Sequence, residues 1–143
     1  MGMLILLICL GLGVGIWLIR RGASKAGASG YDRDRVAAAD TPQTHATIAR
    51  WAQAHGYTQV AGEDRVVRYQ KGDGRKGQPT FLEARPGEAG LSIESWVTSQ
   101  TFSRKPGSEM ALGAPGIVLA LPRKLAKRDH NVLRGELGLP LIG

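Results

Sequence analysis

The 143-residue chain has a single cysteine, Cys9. That excludes an intrachain disulfide. Because Cys9 falls inside an apolar run, the remainder of the chain also has no thiol nucleophile. The three histidines, His45, His55 and His130, are never three or four residues apart, the spacing that sets two ligands side by side on a helix. With no His-Glu-x-x-His and no Cys-x-x-Cys, zinc has no support, and neither a metal nor another cofactor is expected. There is no Gly-x-Ser-x-Gly elbow. The glycine-rich stretch from Lys71 to Gly77 lacks the Gly-Lys-Ser/Thr ending and the following helix of a phosphate-binding loop, so it reads as a turn with solvated charges. Aromatics make up 6% of the chain, and no helix-turn-helix, aromatic-rich sheet motif or finger spacing accompanies the net charge of +7. Nucleic acid is therefore not an expected partner.

Charge is missing altogether from the first nineteen residues, and Met3 to Ile19 is an almost unbroken apolar run that stops at Arg20-Arg21. About 17–25 apolar residues suffice to cross a bilayer as a helix, so the sequence predicts a single transmembrane anchor over residues 1–20. A cleaved signal is disfavoured because no Lys or Arg precedes the run, and because Arg20, Arg21 and Lys25 separate it from small residues suited to cleavage. Every Lys and Arg lies at or beyond position 20, so the positive-inside bias predicts the N-terminus outside an inner membrane and the C-terminal domain in the cytoplasm. Trp17, Arg20 and Arg21 are expected at the membrane interface. Gly11 and Gly15 form a Gly-x-x-x-Gly pair on one helix face, a packing surface for a second copy or for other transmembrane subunits.

Beyond the anchor, residues 21–39 are small, polar and charged, and read as a flexible linker in which the alternation Asp32-Arg33-Asp34-Arg35 is a solvated stretch. Residues 40–143 read as one small α+β domain of helix, antiparallel sheet and helix. Thr41 suits an N-cap, Pro42 the first helical position and Gly56 the left-handed position after the helix; Ile48, Trp51, Ala52 and His55 share a face between them. Segments 57–60, 66–69, 80–85 and 91–97 have strand composition, and the compact turns between them predict an antiparallel meander. Phe102 is the expected buried residue of the less legible stretch 98–115. Residues 117–121 read as a buried strand. Pro122 is expected to open a second helix with Leu125, Val132, Leu133 and Leu137 inward, and Lys124, Lys127, Arg128 and Arg134 outward, ending at Gly138 and Pro140.

Two surfaces invite functional readings. Arg123, Lys124, Lys127 and Arg128 would face an anionic lipid or an acidic protein. Glu83 and Glu94 would be neighbours on adjacent strands, where with a histidine they could serve a small enzyme, although cross-strand pairs with Arg68 and Arg85 are the simpler use. With no catalytic constellation assembled in sequence, the expected function is non-enzymatic: a single-pass accessory or assembly subunit of a larger membrane complex. A membrane-tethered binding module and an enzyme with an unseen site are the alternatives.

Overall fold

A computed structural model describes residues 33–75, 77–99, 108–114, 116 and 119–143. The expected anchor, the linker as far as residue 32, and Phe102 lie outside the described residues. Among these residues six strands and two helices follow in the order β1 (Asp34–Ala38), α1 (Pro42–Ala54), β2 (Thr58–Val60), β3 (Val67–Lys71), β4 (Thr80–Gly87), β5 (Gly90–Ser99), β6 (Ser108–Met110) and α2 (Ala120–Glu136). No helix among the described residues is long and apolar enough to cross a membrane.

The antiparallel meander β2-β3-β4-β5 is the one the turn chemistry implies, with the sheet order β1-β5-β4-β3-β2 and β6 also paired to β5. β1 and β6 lie end to end along one edge of β5. Asp34 pairs with Ser95 and Ala38 with Leu91, while Met110 pairs with Val97 and Ser108 with Ser99. The stretch read as linker therefore supplies a strand. Asp-Arg-Val-Ala-Ala has little strand propensity of its own. It is held because β5 offers it an unpaired edge, and because Val36 and Ala38 rest against the core.

Both helices cover one face of the sheet. Ile48, Trp51 and Ala52 of α1 meet Tyr69, Leu82, Ala84, Leu91 and Ile93 in one buried cluster, which Leu133 of α2 joins. A second cluster gathers Val97, Met110, Leu112, Ala126 and Ile142 at the β6 end. The Thr41 hydroxyl accepts from the Thr44 backbone N–H at 3.2 Å, as its place before Pro42 implies. Each helix ends in the same way. Gly56 and Gly138 take φ of 78° and 66°, and the next residue bonds back into the last turn, Tyr57 N–H to Ala52 C=O and Leu139 N–H to Arg134 C=O, both at 2.8 Å. This is the Schellman arrangement, which satisfies carbonyls the helix leaves unpaired.

Two sequence expectations fail at α2. The predicted strand over 117–121 is not found among its described residues: Leu119 is the residue before the helix, in the left-handed region at φ 53°, and Leu121 lies in the first turn, 67% exposed. The helix is also rotated from the expected orientation. Its buried residues are Arg123, Ala126, His130, Leu133 and Arg134, while Leu125 and Val132 face outward at 48% and 43% exposure. The buried arginines have polar work to do. The Arg123 guanidinium donates to the carbonyls of Ala114 and Gly116, and Arg134 donates to the carbonyl of Pro140 at 3.0 Å. Each ties a loop or the tail to the helix; Leu125 and Val132 are turned out, while Leu133 and Leu137 face the core as expected.

Candidate functional site

Side chains alternate across a strand, so β5 sends Leu91, Ile93, Ser95 and Val97 toward the helices, and Ser92, Glu94, Trp96 and Thr98 to the opposite face, where Glu94 and Trp96 are nonetheless buried. That second face holds an ion-pair cluster. Glu83 stands directly across from Glu94, as the sequence suggested. Both are buried rather than solvated, with Glu83 fully so. Glu83 accepts from Arg68 at 2.7 Å and from Arg85 at 2.7 Å, and Arg33 approaches to 3.5 Å. Burial pushes the Glu83 carboxyl up, but the hydrogen bonds from Arg68 and Arg85 outweigh burial and hold it below its ordinary value. Glu94 accepts from Arg33 at 2.8 Å and lies 3.2 Å from Arg35.

Arg33 completes the cluster. Its Nε and Nη2 donate to the two oxygens of Glu109 at 2.7 and 2.6 Å, and its guanidinium lies 3.7 Å from the Trp96 ring centroid. Phe81 stacks on Trp96 from the β4 side at 5.1 Å. An arginine that reads as solvated in the sequence thus joins β1, β5 and β6 through two carboxylates and an aromatic ring. Arg33 and Glu109 are the members that sequence reasoning missed. They are distant in sequence, and no period in the chain relates them.

A second polar group lies on the helix face. His130 Nδ1 is 2.8 Å from Ser95 Oγ, and its Nε2 is 3.0 Å from the Tyr57 hydroxyl. Trp51 crosses the imidazole edge-on at 5.0 Å, and its indole N–H donates to the Asp129 carbonyl at 2.7 Å. Burial, with Arg134 adding to it, pushes the His130 imidazole down to about 3. Burial likewise raises the Tyr57 hydroxyl. His130 is therefore neutral, and one of its two hydrogen bonds is donated while the other is accepted. A serine beside a histidine is half of a nucleophilic arrangement. Here both residues are only 1% exposed, and no substrate reaches the Ser95 oxygen without opening the core.

The carboxylates and the histidine are on opposite sides of the sheet. Glu83 and Glu94 come together, but His130 does not join them. His45 binds Asp40 at 2.7 Å, and the His55 ring donates to the Trp51 carbonyl at 2.9 Å. Among the described residues no cluster of three or more His, Cys, Asp or Glu side chains could hold a metal ion. A shallow hollow of about 410 Å³ lies beside the β4–β5 turn, lined by Ala37 and residues 87–92. Its one titratable side chain is Glu88.

The basic surface expected on α2 is divided by the fold. Lys124 and Arg128 are exposed. Lys127 is half-buried and donates to the Gly143 carbonyl at 3.0 Å. Arg123 is 4% exposed and takes no part in the outer surface. Gly11, Gly15, Trp17, Arg20 and Arg21 lie outside the described residues. No protein-family model, curated protein or solved structure matches this chain.

Proposed function

We propose that the chain is a non-enzymatic accessory or assembly subunit of a larger membrane complex. Its N-terminal apolar run packs through Gly11 and Gly15 against other transmembrane helices, and its α+β domain sits at the cytoplasmic face. The observation that carries the non-enzymatic reading is the closure of the Ser95–His130 pair. Among the described residues, the nearest approach to a nucleophile and base is sealed between α2 and the sheet, with its polar atoms in internal hydrogen bonds. The carboxylates that could act as acid and base are engaged by arginines in the same way. A domain whose reactive groups are used for packing offers a partner shape and charge.

Gentle detergent extraction of the native protein, followed by sizing and mass spectrometry of what co-migrates, tests the proposal. A stoichiometric membrane complex that survives high salt is the expected result. A lone monomer would overturn the subunit reading.

A further inference from the structure

The rotation of α2 leaves an outward stripe that the core does not use. Leu121, Leu125 and Val132 are four and seven residues apart, so they line one side of the helix, at 67%, 48% and 43% exposure. Lys124 and Arg128 are interleaved with them and exposed, the Arg128 side chain at 74%. The two acidic residues of the helix each have a basic neighbour: Asp129 lies 3.4 Å from Lys71 and 3.6 Å from Arg128, and Glu136 lies 3.7 Å from Arg50. No ion pair among the described residues involves Lys124. The stripe is thus apolar and positive.

We propose that this face of α2 lies on the anionic surface of the membrane that the N-terminal run enters, an inference that rests on the anchor reading. Large apolar side chains separated by single basic ones suit a headgroup layer. There the apolar groups descend roughly 5–10 Å while lysine and arginine reach back to the phosphates. A protein groove would have to supply a narrow apolar slot with acids at fixed positions on either side. Three apolar side chains bind a bilayer weakly on their own. A tether removes that difficulty, because it holds the helix at high effective concentration beside the surface.

The geometry of the tether permits this contact. The twelve residues between Arg21 and Asp34 reach at most ~40 Å when extended, against a diameter of roughly 35 Å for a domain of this size. The chain enters the sheet at Asp34, whose carboxylate is within electrostatic reach of Arg123 and Arg134 on α2. Those arginines are on the inward side of α2, so the stripe on its outward side is one helix diameter, ~10–12 Å, further from the entry point, within the span of the tether.

The test uses the full chain with Cys9→Ser and a single reporter cysteine at Gly135→Cys, one turn beyond Val132. A side chain there meets nothing within 4 Å, so the stripe stays intact; Gln59→Cys on the far edge strand β2 is the control. Each protein carries a fluorophore and is reconstituted into phosphatidylcholine vesicles with brominated acyl chains, with or without phosphatidylglycerol. The expected result is quenching at position 135 but not at 59, dependent on phosphatidylglycerol and reversed by salt. Lys124→Glu with Arg128→Glu should weaken it about fivefold or more for each basic residue removed, and Leu125→Gln, at an exposed site, should weaken it without unfolding the domain. Equal quenching at 135 and 59, or indifference to phosphatidylglycerol, overturns the proposal. A chain that does not float with the vesicles overturns the anchor reading and this inference together, whereas one that floats with position 135 unquenched overturns this inference alone. Shielding of position 135 only in native membranes would show a protein on this face, and would also overturn it.

Discussion

Arg33 and Glu109, 76 residues apart in the chain, meet through two parallel hydrogen bonds of 2.6 and 2.7 Å where β1 and β6 abut along β5. The adjacent residue, Asp34, accepts from the backbone N–H groups of Leu112 and Gly113. Two neighbouring residues thus close the break in the sheet edge, one from each face. Arg33→Ala removes a guanidinium whose side chain is 17% exposed and leaves Glu94 and Glu109 short of a partner. The expected loss is about 2–4 kcal/mol. Glu109, at 35% exposure, is closer to water, so Glu109→Ala should cost about 1–2 kcal/mol. Urea unfolding of the two single variants and the double variant in detergent should give a coupling energy of at least about 1 kcal/mol. Additive losses would mean that the pair contributes nothing of its own.

Mild acid should destabilise the domain through His130. His130 is held down to about 3 in the fold, against about 6.5 in an unfolded chain. The unfolded state therefore binds the proton first. This contribution is fully present above pH ~6.5 and is lost as the pH falls toward 3, at about 1.4 kcal/mol per unit. Between pH 6.5 and 5 the loss is about 2 kcal/mol. His130→Gln should be less stable than the parent at pH 7 yet lose less over that interval. A parent protein with flat stability from pH 7 to 5 would contradict the neutral, sealed histidine.

Removal of the Glu83 carboxylate should do more harm than its conservative replacement. Glu83→Ala leaves Arg68 and Arg85, 27% and 41% exposed, without their shared carboxylate and opens a gap at a fully buried site, with an expected loss of about 3–4 kcal/mol. Glu83→Gln keeps an acceptor, and its amide N–H₂ must still face a guanidinium, so a smaller loss of about 2–3 kcal/mol is expected. Thermal unfolding of both variants at pH 7 gives the ordering, and the reverse ordering would refute it.

Gly90 is the tightest point between the β4–β5 turn and β1. Its φ is 115°, and a Cβ there would lie 2.7 Å from the Ala38 carbonyl oxygen. Gly90→Ala is therefore strained in its backbone and crowded by β1 at once, with an expected loss of about 2 kcal/mol or more. Amide exchange should rise first in residues 36–38, because β1 can retreat where β4 cannot. Uniform acceleration across β3 and β4 would place the strain elsewhere.

What the sequence made legible is what local chemistry determines. Thr41-Pro42 at one end of α1 and Gly56 at the other set its limits within a residue, and the turns around residues 71–77 and 86–90 imposed the meander. Glu83 and Glu94 were placed as neighbours because a tight turn fixes the register of the strands it joins. β1 was missed because Asp34–Ala38 is a strand by virtue of the β5 edge, a contact 53 to 61 residues away in the chain. The face of α2 was read only in part, with Leu133 and Leu137 inward as expected but Leu125 and Val132 outward and Arg134 buried, for a related reason. Helical periodicity sorts residues by apolarity, but Arg123 and Arg134 are buried because carbonyls at Ala114, Gly116 and Pro140 await them. His130 gave no sequence signal, since Ser95 and Tyr57 become its partners only once α2 has crossed the sheet.

The arrangement at the sheet edge also determines how the domain bears force. Whatever pulls on the chain upstream of Arg33 pulls on the first residue of an antiparallel strand. A load along β1 is shared by its rungs to β5 in shear, whereas a load across it would peel them one by one from Asp34 inward. The Arg33 guanidinium and the Asp34 carboxylate are fastened at the point where that peeling begins, so the seam is reinforced where it would first open.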